Sequence, residues 1–284
     1  MLAEVEDMLP SAPFDEGAVE KLEAAFLQEQ QVECPVKHHF GPGVYIREVF
    51  LPTGSYVIGH RHKSSHLNIM LEGRITLINN DGTRTELTAP QTFVSGPGRK
   101  IAYVHENVRW QNVYATEETD VETLEAELLD KSLAFEEAQK ANELLLTFDH
   151  AADHNDFAAA IAEFGYDAAT VAAISENEDD QIPLPHGEYK MMVSASRIHG
   201  KGVFATADIA PNELIAPARL GGKRTPAGRF TNHSHAPNAE MVLADNGDIF
   251  LFAKQVISGC KGGNVGEEIT VDYRQALALS VGDK

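Results

Sequence analysis

Seventy residues near the middle of this 284-residue chain, 117–186, carry 19 acidic and only 2 basic side chains, and no other feature constrains the fold as much. Residues 1–116 hold 14 acidic against 10 basic side chains, and residues 187–284 hold 10 against 11. The formal charge of −20 is therefore concentrated between two nearly neutral flanks. Such a middle repels a phosphate backbone, so nucleic acid is not an expected partner. A solvated helical connector between two domains is the simplest reading, ahead of an acidic recruiting surface. The length suffices for two modest domains, each with its own core. No apolar run reaches the length of a membrane span, and the acidic opening Met1–Asp7 lacks the layout of a signal peptide. Cys34 and Cys260 stand too far apart in sequence to imply a disulfide framework or a cysteine zinc cluster. A reducing cytoplasm is the expected site of synthesis, with no membrane partner.

Hydrophobic period divides the chain at the same places. Residues 1–35 read as an arm: disorder is expected over 1–13, then a helix from Asp15 with Val19, Leu22, Ala25 and Phe26 at helical spacing, ending before Pro35. Residues 36–116 contain short β-rich runs at 44–51, 56–58, 67–71, 74–78 and 110–114, punctuated by Glu72-Gly73, Asn80-Asp81-Gly82 and Gly96-Pro97-Gly98. Strands this short and this evenly spaced predict a sandwich or jelly roll. Residues 117–186 predict helices: a capping box at Thr119–Glu122, a second helix opened by Asn155 or Asp156, and a third capped by Asp167 with Val171 and Ile174 inward. Residues 187–284 return to strands. The expected fold is mainly β, with two domains joined by an acidic α-helical connector.

Two clusters carry candidate chemistry. In the first, Gly54 is followed after five residues by His60-Arg61-His62, then His66 and Gly73. On a strand, His60 and His62 face one side, and His66 can join them past a turn; three converging imidazoles suit a divalent transition metal. This spacing resembles the first motif of the cupin family, with His66 where that family usually has glutamate. The resemblance implies a cupin-like barrel with His60, His62 and His66 as metal ligands. The histidine of the second cupin motif is missing near Lys100 to Ala102, and His105 lies a few residues late. Without a metal, the barrel serves as a scaffold or dimerisation module.

The second cluster lies in three pieces: Ser196–Thr206 with Gly200-Lys201-Gly202, then Arg229-Phe230-Thr231-Asn232-His233-Ser234 with Pro237-Asn238, then Gly266-Glu267-Glu268-Ile269-Thr270-Val271-Asp272-Tyr273. In order and content they resemble the SET-domain protein lysine methyltransferases over roughly a third of the chain. The resemblance implies a short SET-like β-fold with S-adenosylmethionine as cofactor. It places Gly200, Lys201, Gly202, Arg229, Phe230, Asn232 and His233 at the cofactor and Tyr273 at the methyl-transfer channel. Glycines at 200 and 202 let a backbone approach a ligand closely. The stretch between Ile215 and Arg229 is shorter than in many such enzymes, and no aromatic follows Tyr273 to close a lysine channel.

Two classes of function follow. One is a SET-type lysine methyltransferase-like protein with a cupin domain that binds metal or pairs copies into a homo-oligomer, acting on a protein substrate. The other arises because the layout also looks like reading frames of tailed bacteriophages. It is a non-catalytic structural or assembly protein, made in the host cytoplasm, whose domains bind neighbouring virion proteins.

Overall fold

The computed structural model describes residues 13–145, 151–260 and 265–281, so the disorder expected over residues 1–12 lies outside the described residues. Helix α1 (Glu16–Phe26) is capped by Asp15, whose carboxylate accepts from the Ala18 amide. Eight strands follow: β1 (Val36–Gly41), β2 (Val44–Leu51), β3 (Tyr56–Ile58), β4 (Arg61–His62), β5 (His66–Ile78), β6 (Arg84–Thr88), β7 (Gln91–Ser95) and β8 (Ile101–Ala115). The acidic middle supplies α2 (Val121–Leu128), β9 (Leu129–Asp130), α3 (Leu133–Leu145), α4 (Ala151–Glu163) and α5 (Ala168–Glu176). The last third holds β10 (Gly187–Tyr189), β11 (Met191–Ala195), β12 (Lys201–Ala205), β13 (Leu214–Leu220) and β14 (Lys223–Arg224). Helix α6 (Pro226–Phe230), β15 (Asn232–His233), β16 (Ala239–Leu243), β17 (Ile249–Ala253), β18 (Glu268–Val271) and α7 (Tyr273–Val281) complete it. The chain is mainly β, as its short strand-like runs predict.

In the N-terminal sheet the order is β10-β1-β2-β8-β5-β6, with β3 also on β8 and β7 also on β5. The two long strands change neighbours halfway. Ile101–Tyr103 of β8 pair with β3 while Val108–Ala115 pair with β2; His66–Met70 of β5 pair with β7 while Arg74–Ile78 pair with β6. A strand that serves two sets of neighbours rolls the sheet over on itself, which is the jelly-roll solution to exposed edges. Glu72-Gly73, read as a turn between two strands, is instead a bulge within β5. Gly73 has φ +89, and a Cβ there would lie 2.1 Å from the Asn107 carbonyl oxygen, so only glycine fits. β1, β6 and β7 escaped prediction; β6 in particular is polar and mostly exposed.

Two four-stranded sheets, β11-β12-β18-β15 and β14-β13-β17-β16, build the last third. The sequence-drawn boundary at 187 is crossed by a strand pairing, because β10 lies antiparallel on β1, with His38 opposite Tyr189. Thr206 extends the seam by donating its hydroxyl to the Val36 carbonyl and accepting the Val36 amide on its own carbonyl. One hydrophobic cluster runs from Phe40, Tyr45 and Tyr114 through Val121 and Leu124 of α2 to Met191, Val203 and Ile269. The solvated connector of the sequence reading is thus corrected: α2 is a wedge whose apolar side is buried between the two halves. Three local expectations also change. The N-cap of α2 is Asp120, accepting from Thr123, and not a Thr119–Glu122 box. Leu129-Asp130 end α2 by pairing with β4, where the sequence suggests only helix. Ile174 of α5 is exposed and, with Val171, faces a cavity rather than a core. Finally, the fold brings Cys34 within electrostatic reach of Cys260; burial, helped by that neighbour, pushes the Cys34 thiol up to about 12.

His38 of β1 is fully buried against Tyr45, whose hydroxyl lies 2.8 Å from its Nδ1, while its Nε2 has no partner. Burial pulls this imidazole down to about 3, so it folds neutral. The unfolded chain binds the proton first as pH falls below about 6.5, so stability is intact above that value and declines towards pH 3. By pH 4 the loss is expected to be about 3 kcal/mol from this group alone. Melting temperatures across this window are expected to be flatter for His38→Gln than for the wild type.

Candidate functional site

The three separated C-terminal pieces meet on one side-chain amide. Asn232 Nδ2 lies 2.7 Å from Glu268 Oε1, 3.0 Å from Ser196 Oγ, 3.0 Å from the Lys201 carbonyl and 3.3 Å from the His199 carbonyl. Two protons are shared among these four acceptors, so the amide is committed to joining the segments. Ser196 Oγ donates to the Glu268 carboxylate and accepts from the Ile198 amide. β15 runs parallel to β18, pairing Asn232 with Thr270 and His233 with Val271. A Cβ on Gly202 would fall 2.3 Å from Glu268 Oε1, so the bare backbone there admits a carboxylate of the chain itself. Gly200, at φ +52, has an open flank. Lys201 is exposed, with its ammonium 2.5 Å from Glu122 of α2 and 5.9 Å from the Phe230 ring centre. Arg229 lies 4.8 Å from that ring and bonds the Gln181 side chain at 2.5 Å.

Tyr273 opens α7 rather than closing a strand. Its hydroxyl donates to the Thr231 carbonyl at 3.2 Å, and its amide donates to His233 Nδ1 at 3.1 Å. Because Nδ1 accepts, the His233 proton sits on Nε2, 3.1 Å from Asp156 Oδ2. Burial pushes the phenol up to about 12, so Tyr273 keeps its proton at neutral pH. Beside it lies a cavity of about 310 Å³ walled by Arg219, Arg224, Arg229, Thr231, Tyr273 and Tyr166, with α5 along one side. Arg224 is paired with Asp180 at 2.7 Å, whereas Arg219 has no hydrogen bond or ion pair among the described residues.

The sequence reading missed the part played by α4. Asp153 accepts at one oxygen from the Ser234 hydroxyl (2.9 Å), the His235 amide (2.9 Å) and His235 Nδ1 (2.6 Å). Asp156 takes a two-pronged bond from Arg274 at 2.8 and 2.9 Å in addition to His233. Arg274, then His233, hold this carboxyl below the usual range. Phe157 packs edge-on to Tyr273, ring centres 5.7 Å apart, and lies 6.3 Å from His233. Tyr273 thus has an aromatic neighbour that comes from the connector. The signal was present in Asp153-x-x-Asp156-Phe157, a spacing that puts all three on one helix face.

The histidines of the rolled sheet do not form the expected ligand set. The His62 and His66 rings stack with centres 4.0 Å apart and 19° between planes. His62 Nδ1 is 2.6 Å from the Tyr114 hydroxyl, and His66 Nδ1 is 3.1 Å from the Ser64 carbonyl. His60 turns edge-on to Phe135 at 4.6 Å, and the late candidate His105 bonds Thr76. Stacked rings present their edges side by side, whereas a shared ion needs lone pairs converging at about 2 Å. Among the described residues no group of three or more His, Cys, Asp or Glu side chains could hold a metal ion, so these donors do not fit one. Burial pulls His60 to about 3 and His62 to about 2, keeping both neutral. Both line a cavity of about 250 Å³ inside the sheet, together with Arg47, Lys100 and Trp110.

Asp153→Ala is expected to leave the Ser234 hydroxyl and His235 amide without their acceptor. A loss of about 1–3 kcal/mol in local stability should follow, read as faster amide hydrogen exchange at His235 with little change in the N-terminal sheet.

No protein-family model and no curated protein matches the chain. Solved structures of cupin-domain proteins resemble about a third of it. A cupin-2 domain protein from Shewanella frigidimarina is 14% identical over 33% of this chain and 90% of its own, with a TM-score of 0.25. An RmlC-like cupin family protein with a double-stranded β-helix fold from Methanocaldococcus jannaschii is 17% identical over 31% and 86%, with a TM-score of 0.26. A cupin domain from Bordetella pertussis is 14% identical over 31% and 98%, with a TM-score of 0.26.

Proposed function

We propose that the last third of the chain, braced by α4 and walled on one side by α5, is a SET-type site for S-adenosylmethionine-dependent methylation of lysine on a protein substrate. One observation carries the reading: the three motif-bearing segments, distant in sequence, converge on the Asn232 amide and leave Tyr273 and Thr231 on the wall of a cavity. Bound S-adenosylmethionine would supply an electrophilic methyl group. The open flank of Gly200 and the Arg229 and Thr231 wall are the parts of the chain available to hold it.

The residues themselves do the orienting. Tyr273 donates its only proton to the Thr231 carbonyl, which leaves phenolic lone pairs to accept from a lysine amine. No carboxylate or imidazole lines the cavity among the described residues, so Tyr273 aims the amine and does not deprotonate it. Three guanidinium groups around the cavity favour the neutral amine over the ammonium, and its proton leaves to water before attack. Catalysis on this account is alignment plus electrostatics, with the neutral phenol as the aiming group.

Calorimetric titration of the full chain with S-adenosylmethionine is expected to show saturable heat, absent in Asn232→Ala. Tyr273→Phe should keep the binding heat while transfer of labelled methyl groups to lysine-containing proteins falls on the order of 100-fold. No binding heat at millimolar cofactor would sink the proposal.

A further inference from the structure

The cavity inside the rolled N-terminal sheet contains a cation that the fold leaves unanswered. Lys100, just before β8, lines it, and its ammonium makes no hydrogen bond or ion pair among the described residues. Arg47 of β2 lines it too, and its Nε is shielded from solvent without a hydrogen-bond partner. The carboxylate nearest Arg47 is Glu125, 3.8 Å away, and Glu125 is drawn more closely to Lys131 at 2.7 Å. Glu23, the acidic residue in the lining, is tied to Arg99 at 2.5 Å. Positive charge therefore exceeds negative charge at this end of the cavity. His60 adds a shielded Nδ1 with no partner. Most of the remaining wall is apolar, with Val57, Ile75, Leu77, Trp110 and Phe135, while Gln31, His62 and Asn112 add polar groups.

An unpaired ammonium beside an apolar wall is costly to keep unless something fills it. The cavity's size suits a molecule with a short body, and a single unanswered lysine suits a head of one negative charge. We propose that the cavity binds a small organic monocarboxylate, with its carboxylate at Lys100 and its branched or aromatic body against Ile75, Leu77 and Trp110. No metal ion takes part. Phe26 and Leu27, at the end of α1, and Phe135 of α3 form part of the enclosing wall. This binding site is independent of the methyl-transfer reading, since it shares no lining residue with the C-terminal cavity.

The test is titration of the full chain, dialysed against a chelator, with phenylacetate, isovalerate and the neutral isostere phenylacetamide. Phenylacetate or isovalerate is expected to saturate the protein in the millimolar range or below, and phenylacetamide to bind at least about tenfold more weakly. Lys100→Met should cost the acid about tenfold or more in affinity, while melting at the wild-type temperature or above it. Lys100→Arg, which keeps the charge, should retain most of the affinity and so separates loss of charge from misfolding. Equal affinity for acid and amide, undiminished binding by Lys100→Met, or no saturation by either acid at millimolar concentration would each overturn the proposal. Binding that returns only when zinc or another divalent ion is added would overturn it in favour of a metal.

Discussion

The structure depends on where the connector's carboxylates find their partners. Glu122 reaches Lys201, Glu125 reaches Lys131 and Arg47, Asp130 reaches Lys63, Asp156 and Glu163 reach Arg274, and Asp180 reaches Arg224. These cations come from the N-terminal sheet, from the connector and from the C-terminal third. The exposed pairs among them, such as Glu122–Lys201 and Asp130–Lys63, contribute at most about 1 kcal/mol each, so they do not hold the protein together by strength. Their effect is placement. The apolar face of α2 buries Val121 and Leu124 in the shared core, and the charges around it fix which way each helix lies against its neighbours. At Glu125 burial opposes ionisation, but Lys131 and Arg47 outweigh it and hold the carboxyl at about 2.

What was legible in the sequence was local. The start of α1 near Asp15, the strands at 44–51 and 56–58, and the turn at Gly82 depend on period and turn chemistry within a few residues. In the connector the apolar positions Val121, Leu124 and Ile161 follow helical spacing and are buried, but the elements that cover them are remote in sequence and so not legible from it. β6 offers no apolar alternation, since it exists through pairing with β5. In β5 the parity itself is inverted. Polar His66 and Asn68 are buried and Leu67 is exposed, because Asn68 Oδ1 accepts from both Trp110 and Asn112. No count of apolar residues along β5 could show that exchange of hydrogen bonds.

The same contrast separates the two candidate sites. The C-terminal motifs were readable as three strings because each string is one short contiguous run, and the fold brings the three runs together at Asn232. The histidine trio was readable as a spacing, yet spacing says nothing of ring orientation. Tyr114 and Ser64 hold two of the rings by Nδ1, and Phe135 packs against the third.

Helix α4 makes the two halves of the architecture interdependent. Its Asp153, Asp156 and Phe157 bond or pack against residues that follow by some eighty to one hundred and twenty positions. The wall of the C-terminal site is encoded ahead of the apparent domain boundary, and β10, just after that boundary, belongs to the N-terminal sheet. A cut at the charge boundary would part the motifs from the helix whose Asp153 and Asp156 bond to them, and would deprive the N-terminal sheet of an edge. The two halves depend on each other in the fold, even though their sequences read as separable modules.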